Sequence, residues 1–165
     1  MFRGWITADY LQASQLVIGV LEIIVTAFVA VWIVRSVQRK QENDRVLKDH
    51  LAHELITLRA DVRAFLEKLM NGTIKAQHIK REHHLLSIRM RDILGALNKK
   101  YGVDKQKLKA YRSPLLKIVE EDEDYQQKCQ GDELVSLSKE TTLKLHEIRI
   151  NNDHVFNDIL LKIYE

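Results

Sequence analysis

Residues 11–40 read LQASQLVIGVLEIIVTAFVAVWIVRSVQRK, and this stretch decides the architecture of the chain. Between Leu16 and Val34 only Glu22 and Thr26 interrupt the apolar run. A helix of about 20 apolar residues crosses the roughly 30 Å hydrocarbon layer of a bilayer. We therefore predict a transmembrane helix over residues 10–35, after a short N-terminal segment of residues 1–9. The run is longer, and ends in bulkier residues, than the apolar core of a cleaved signal peptide, so we interpret it as an uncleaved anchor.

The charges beside this stretch predict its orientation. Arg3, the amino terminus and Asp9 precede the span, and four basic residues follow it closely: Arg35, Arg39, Lys40 and Arg45. Cytoplasmic flanks of membrane helices carry an excess of lysine and arginine. We therefore predict a single-pass protein whose C-terminal domain, residues 36–165, lies in the cytoplasm.

Polar and small residues share one side of the predicted span. At about 100° per residue, this seam contains Gln12, Gln15, Gly19, Glu22, Thr26 and Ala30. A carboxylate within a membrane is costly unless it faces protein or water. The seam is compatible with a tight dimer contact at a protonated Glu22, with a wider ring around a polar passage, or with a glutamate that reaches one interface. In the first two cases the chain is a homo-oligomer, and membrane lipid covers the remaining apolar sides.

The helical spacing of apolar residues in the rest of the chain predicts an all-α bundle of four or five helices. Its formal net charge of +3, with both signs interspersed, does not by itself indicate nucleic-acid binding. The single cysteine, Cys129, permits no internal disulfide, which agrees with a reducing compartment. No proline or glycine interrupts the chain between Val34 and Leu47, so the membrane helix is expected to continue into a heptad pattern formed by Leu51, Leu55, Leu58, Val62, Phe65 and Leu69.

Turn and capping residues predict the later boundaries. We expect Gly72 to end the first long helix, Thr73 to cap the second, and Gly102 to follow its end after Lys99 and Lys100. A short third helix is expected to start at Asp104. Ser113 before Pro114 is a further start signal, and Asp132 is expected to open the long terminal helix.

Several polar clusters are interpreted as solvated surface. These are the acidic run from Glu120 to Asp124 and the group formed by His78, His83 and His84 among charged neighbours. His50, His53 and Glu54 lie close on one helix, but no second cluster at ligand spacing accompanies them. We predict neither a metal site nor a cofactor.

Two segments carry an arginine and a histidine separated by four residues. These are RVLKDH, with Arg45 and His50, and RINNDH, with Arg149 and His154. An R-x4-H pattern is the signature of HEPN domains, which are helical bundles that pair their motifs across a dimer to cleave RNA without metal. Histidine exchanges protons near neutral pH, and the arginine fork stabilises a phosphate. The pattern thus offers candidate catalytic residues.

The position of the second match favours Arg149 and His154 over the rival pair. HEPN domains usually carry the motif on the last main helix, where RINNDH lies. Taking Leu145, Ile148, Val155 and Ile159 as the core stripe, we expect Arg149 at the edge of the core and His154 pointing outward. Ile150 and Val46 follow the two arginines, where HEPN domains prefer a polar residue, and this departure argues against nuclease activity.

The whole architecture resembles a known family. One N-terminal span, a compact helical domain and a degenerate R-x4-H motif late in the chain resemble the small membrane accessory protein of type VI-B CRISPR loci. That resemblance implies a HEPN-like fold, a bacterial inner membrane location and a ring. It also implies that the ring supports antiphage defence by an RNA-guided partner nuclease.

Three functions remain open at the level of sequence. The leading prediction is a ring or pore that perturbs the inner membrane when infection is sensed. The second is a membrane-tethered HEPN ribonuclease that acts on RNA through Arg149 and His154. The third is a structural membrane tether, which the breaks at Gly72, Gly102 and Gly131 disfavour because they fold the chain back. Whether the chain is an enzyme is left open, with a non-catalytic role favoured.

Overall fold

The computed structural model describes residues 4–165, with side chains from Gly19 onward, and most of these residues are helical. Within these residues there are five α-helices and no strand, which confirms the all-α prediction. The helices are α1 (Gly4–Met70), α2 (Ala76–Tyr101), α3 (Ser113–Glu120), α4 (Glu123–Lys128) and α5 (Lys139–Tyr164), with a short 3-10 turn at Lys109–Tyr111.

The chain divides into two compact units, Met1–Leu47 and Lys48–Glu165. Helix α1 contributes to both and has no break between Val34 and Leu47, as the sequence predicts. In the first unit every side chain in residues 20–43 is exposed. An 18-residue stretch of this helix has a mean hydropathy of 2.1 and no buried residue. By length and composition, this helix can cross a membrane.

The second unit is a bundle around one hydrophobic core. The six residues of the predicted heptad pattern are all buried, with exposed fractions between 0% and 7%: Leu51, Leu55, Leu58, Val62, Phe65 and Leu69. Helices α2 and α5 contribute Met90, Leu94, Phe156 and Ile159 to the same core. The spacing of three and four residues therefore marks the packed side of α1, as expected for a heptad seam.

Two glycines end helices as predicted. Gly72 and Gly102 both have φ +64°, a left-handed conformation that glycine adopts without steric cost. The Gly102 amide donates to the Asn98 carbonyl oxygen at 3.0 Å. The predicted cap at Thr73 is wrong, because α2 starts three residues later and its N-cap position is Lys75. The Thr73 hydroxyl instead donates to the Lys68 carbonyl oxygen, at 3.4 Å.

The predicted helix start at Asp104 is also wrong. The Asp104 carboxylate accepts the Gln106 amide at 2.9 Å, a local turn that competes with helix formation. The first regular turn after α2 is the 3-10 turn at Lys109–Tyr111. Helix α3 begins at Ser113 with Pro114 in its first turn, which confirms the second start signal to within one residue.

The terminal helix begins seven residues later than predicted, at Lys139 rather than Asp132. Residues 132–138 are instead irregular and lie alongside the segment that links α1 to α2. There the Val135 amide donates to the Ile74 carbonyl oxygen at 3.2 Å. The Ala76 amide donates to the Glu133 carbonyl oxygen at 3.0 Å. These backbone bonds replace those of a helix, and Ser138 becomes the N-cap of α5 by accepting the Thr141 amide.

Two residues assigned to the solvated surface are buried. Asp122 is 3% exposed, and its carboxylate accepts the Asp124 and Ser138 amides at 3.1 and 2.9 Å. It caps α4 and fixes the start of α5, so the acidic run is more than a solvated face. His83 is 7% exposed, and its Nε2 lies 2.9 Å from the Arg112 carbonyl oxygen. Burial holds the pKa of His83 below its usual value, although the Arg112 and Tyr111 carbonyls act in the opposite direction.

Candidate functional site

The polar seam of the first unit forms a shallow groove on an exposed apolar helix. The groove has a volume of about 440 Å³ and is lined by Glu22, Ile23, Thr26, Ala27 and Ala30. The Thr26 hydroxyl donates to the Glu22 carbonyl oxygen at 2.7 Å, which satisfies this polar group within the helix. The Glu22 carboxylate is thus the strongest polar group that the groove offers to a neighbouring chain or to water.

Three further residues of the predicted seam lie before Glu22: Gln12, Gln15 and Gly19. Gly19 has open space at the position of a side chain, since no described atom outside the adjacent backbone of its own helix lies within 4 Å of that position. A smooth, small surface of this kind permits close approach of a second helix in a membrane. Gln12 and Gln15 lie outside the described side chains.

Arg149 and His154 both lie on α5 but in different surroundings. The Arg149 side chain is 32% exposed, and its Nη2 lies 3.4 Å from the Glu67 Oε1 of α1. The Arg149 carbonyl oxygen accepts the Tyr111 hydroxyl at 3.4 Å. The His154 side chain is exposed. Arg149 therefore lies at the edge of the packed face and is neutralised by a carboxylate, whereas the His154 imidazole is accessible to solvent.

The rival pair, Arg45 and His50, is exposed at both positions on α1. Arg45 belongs to the first compact unit and His50 to the second. No ion pair or hydrogen bond within the described residues engages the side chain of either one. The rival pair therefore has no structural support of the kind that Glu67 and Tyr111 give to Arg149.

A cluster beside His154 was not anticipated from the sequence. Asp153 accepts from the Nε atoms of Arg59 and Arg63, each at 3.1 Å, and from the Nη2 atoms of both, the Arg63 contact at 2.6 Å. Arg59 Nη1 also donates to Asn157 Oδ1 at 2.8 Å. Two arginine forks thus converge on one carboxylate and bind α5 to α1. The sequence signal was the spacing of Arg59 and Arg63 by four residues beside the heptad seam.

This cluster perturbs the ionisation of its members. Hydrogen bonds from Arg59 and then Arg63 hold the pKa of Asp153 far below its usual range, against the effect of partial burial. Burial raises the pKa of Tyr111 to about 12, and the negative charge of Asp153 adds to this effect. Asp153 therefore stays ionised and Tyr111 stays protonated at neutral pH. The Tyr111 hydroxyl acts here as a hydrogen-bond donor and not as a base.

The acidic residues near His50 and His53 form ion pairs with Arg89. Glu54, expected beside His50 and His53, accepts from Arg89 Nη2 at 3.0 Å, and Arg89 also bonds to Asp61. Over the residues that the structure describes, no group of three or more histidine, cysteine, aspartate or glutamate side chains is arranged to hold a metal ion. Cys129 is exposed and forms no disulfide.

The two candidate sites offer different chemistry. The groove at Glu22 presents a carboxylate and small side chains along an apolar helix, which suits contact with other helices or with a column of water. Helix α5 presents the exposed imidazole of His154 and, at other positions around the helix, an Asp153 carboxylate that holds Arg59 and Arg63 and an Arg149 paired with Glu67. Comparisons with protein-family models, curated proteins and solved structures found no match for this chain.

Proposed function

We propose that the chain is a single-pass protein of the bacterial inner membrane that assembles into a ring around a polar passage. In this proposal the ring perturbs the membrane when infection is sensed, as an accessory of an RNA-guided CRISPR nuclease. The observation that carries the proposal is the groove at Glu22, Thr26 and Ala30 on a helix whose other sides are apolar and exposed.

The energetic argument rests on the cost of Glu22 in lipid. An ionisable side chain near the centre of a span costs about 2.5–3.5 kcal/mol on insertion scales unless protein or water solvates it. Copies that turn their Glu22 grooves toward one axis provide that solvation, and the exposed residues Val25 and Phe28 on other sides then contact lipid tails. Self-association therefore removes the penalty that a single helix would retain.

The C-terminal unit supplies the second part of the proposal. Its all-helical fold and the RINNDH segment on its last long helix support the choice of a HEPN-like domain, and the basic residues that follow the span support a cytoplasmic placement. Because Arg149 is occupied by Glu67, we assign this unit to scaffolding and sensing rather than to catalysis. A shift between closed and open assemblies then couples the sensed signal to the membrane passage.

The test compares Glu22→Leu with Phe28→Leu in the full-length protein. Phe28 is 73% exposed on the same helix and serves as the matched control for a change of shape within lipid. We expect Glu22→Leu to insert normally but to change the mass of the detergent-solubilised oligomer and to reduce leakage from liposomes. Phe28→Leu should retain both properties. A Glu22→Leu protein with unchanged mass and unchanged leakage would contradict the proposal.

The accessible imidazole of His154 favours a second candidate, a membrane-tethered ribonuclease. Arg149, one turn earlier on α5, is the arginine that the R-x4-H pattern assigns to the phosphate, and its side chain is 32% exposed. This function predicts RNA cleavage in the presence of a metal chelator by the full-length protein. His154→Ala should abolish cleavage, whereas His146→Ala, an exposed histidine on the same helix, should not. Intact RNA after incubation with dimeric wild-type protein would reject it.

A further inference from the structure

Two arginines and a tryptophan share one side of α1 where its apolar run ends. Trp32 is 64% exposed, and Arg35 and Arg39 are exposed about one and two turns later. At about 100° per residue, these three residues fall within an arc of roughly 60° whose centre is about 150° from the centre of the seam that contains Glu22. We name Trp32, Arg35 and Arg39 the outer interface cluster.

The two arginines of this cluster are available to an external anion. Over the residues whose side chains the structure describes, no hydrogen bond or ion pair engages the side chain of Arg35 or Arg39. Glu42 follows on the same side of the helix, one turn after Arg39, and it forms no ion pair with either arginine. The positive charge of the cluster is therefore not neutralised within the helix.

The position of the cluster along α1 points to a ligand at the membrane surface. Val34 is the last residue of the apolar run, so Arg35 lies at the end of the span and Arg39 about 6 Å further along the helix axis. Tryptophan is enriched at the level of the lipid headgroups, where its ring is apolar and its N–H meets polar groups. Leu21 and Ile24, which are 55% and 58% exposed on the same side, extend the apolar surface into the span. A ligand that matches this surface has an apolar tail and a negatively charged head.

We propose that the outer interface cluster binds the headgroup phosphate of an anionic phospholipid, an inference that rests on the membrane placement in the proposed function. An arginine fork donates paired hydrogen bonds to phosphate oxygens, and the Trp32 indole N–H is a further donor for the glycerol and ester oxygens. Basic residues at the end of a span attract anionic lipid. A zwitterionic headgroup such as phosphatidylcholine carries its own cation, which the two arginines repel. The cluster therefore selects anionic over zwitterionic lipid.

Its place around the helix separates this cluster from the other basic residues that follow the span. Lys40 is the direct neighbour of Arg39 and is also exposed. At about 100° per residue, Lys40 returns to the direction of Glu22. In a ring whose passage faces Glu22, Lys40 points toward the axis and Arg39 toward the surrounding lipid. A lipid held opposite the seam thus fixes the rotation of the helix that keeps Glu22 turned toward the other copies.

The test measures the quenching of Trp32 fluorescence in vesicles that contain the full-length protein. All forms carry Trp5→Phe, which leaves Trp32 as the single tryptophan. The vesicles are phosphatidylcholine with a minor fraction of lipid brominated in its acyl chains, either phosphatidylglycerol or phosphatidylcholine, and the two quenching curves give the relative affinity of the two lipids for the surface around Trp32. We expect a several-fold preference for phosphatidylglycerol. Arg35→Gln together with Arg39→Gln should abolish this preference.

The matched control compares two adjacent residues of the same charge. Arg39→Gln and Lys40→Gln each remove one positive charge at nearly the same depth but on different sides of the helix. Arg39→Gln should lower the preference for phosphatidylglycerol several-fold, and Lys40→Gln should retain it. Equal losses in the two variants would replace the cluster by a general attraction of the basic segment and overturn the proposal.

The same vesicles distinguish failure of the lipid site from failure of the proposed function. Equal quenching of wild-type Trp32 by both brominated lipids would retain the membrane placement of α1 and reject the phospholipid site. Absence of quenching by either lipid would place Trp32 outside the bilayer and reject both. A preference for phosphatidylglycerol, combined with unchanged leakage in the Glu22→Leu protein, would support the lipid site and reject the passage.

Discussion

The two halves of α1 differ in apolar content and in surroundings. In residues 20–43 every side chain is exposed, whereas eight apolar residues from Leu51 to Leu69 are at most 7% exposed. The contrast is clearest at two phenylalanines, since Phe28 is 73% exposed and Phe65 is 2% exposed. In residues 16–34 only Glu22 and Thr26 interrupt the apolar run, so apolar residues cover every side of the helix except one narrow seam. In the second half the buried apolar residues follow one seam, and charged residues occupy much of the remainder. Both the number of apolar residues and their arrangement around the helix therefore distinguish a helix able to cross a membrane from a core helix.

Phe65→Ala should cause the largest loss in the free energy of unfolding, because Phe65 lies in the buried half of α1. Removal of a fully buried phenylalanine loses its transfer free energy and leaves a cavity, which together cost about 3–5 kcal/mol. We expect this loss in the urea-induced unfolding of the C-terminal unit, followed by circular dichroism of the full-length protein in detergent micelles. Phe28→Ala is the matched control and should leave that transition unchanged. If Phe28→Ala destabilised the protein as much as Phe65→Ala, the contrast between the halves would be wrong.

The second effect concerns the clamp that holds α5 on the second half of α1. Asp153→Ala removes the carboxylate that Arg59 and Arg63 share and leaves Arg59, 20% exposed, without its main acceptor. Hydrogen bonds to charged groups contribute more than neutral ones, and partial exposure screens them, so we expect a loss of about 2 kcal/mol. Urea unfolding at pH 7 measures it. Glu140→Ala, which removes the exposed pair with Lys144, should have no measurable effect.

The same clamp gives a pH dependence of known sign. The pKa of Asp153 is far below its usual value in the folded protein, so when the pH falls the unfolded chain binds this proton first. The stabilisation is fully present above about pH 4 and is lost as the pH falls toward the folded pKa. Asp153→Asn should therefore flatten the acid side of the stability profile. A profile identical to that of the wild type would exclude this contribution.

The sequence predicted the parts of the fold that depend on local patterns. The apolar run, the heptad seam and the two glycines at helix ends each follow from residues close together in the chain. The start of α5 could not be predicted, because it depends on backbone bonds between residues 133–135 and residues 74–76. His83 was misjudged for the same reason, since its burial arises from Phe65 and from the Arg112 carbonyl, distant in sequence.

The candidate sites divide in a similar way. The seam at Glu22 and Thr26 was predicted from helix geometry alone, and the groove there is a local property of one helix. The positions of Arg149 at the edge of the core and His154 outside it also follow from the period of α5. The partners of these residues are tertiary. Glu67, Arg59 and Arg63 are on α1, more than 80 positions away, and no local pattern pairs them with α5.

A smaller effect is expected at the two glycines that end α1 and α2. Both have φ +64°, where an alanine costs about 1 kcal/mol. A Cβ at Gly72 would also lie 3.1 Å from the Val135 carbonyl oxygen, whereas Gly102 has no atom within 4 Å. Gly72→Ala should therefore destabilise the C-terminal unit more than Gly102→Ala does, as measured by urea unfolding. If both variants lost the same free energy of unfolding, the backbone around Val135 would move away from the added Cβ without a measurable energetic penalty.

The smallest effect should be a pH dependence carried by His83, whose ring lies 6.3 Å from that of Phe65 and helps to cover the second half of α1. Burial lowers the pKa of His83; His84 acts in the same direction, and Glu120 and the Arg112 and Tyr111 carbonyls act against it. The unfolded chain therefore binds the proton first, and stability should decrease as the pH falls below about 6.5. His83→Gln should remove this dependence between pH 7.5 and 5.5, while His84→Gln, at an exposed position, should retain it. If both variants kept the wild-type slope, another group would carry the proton, and the cover that His83 provides for Phe65 would be insensitive to charge.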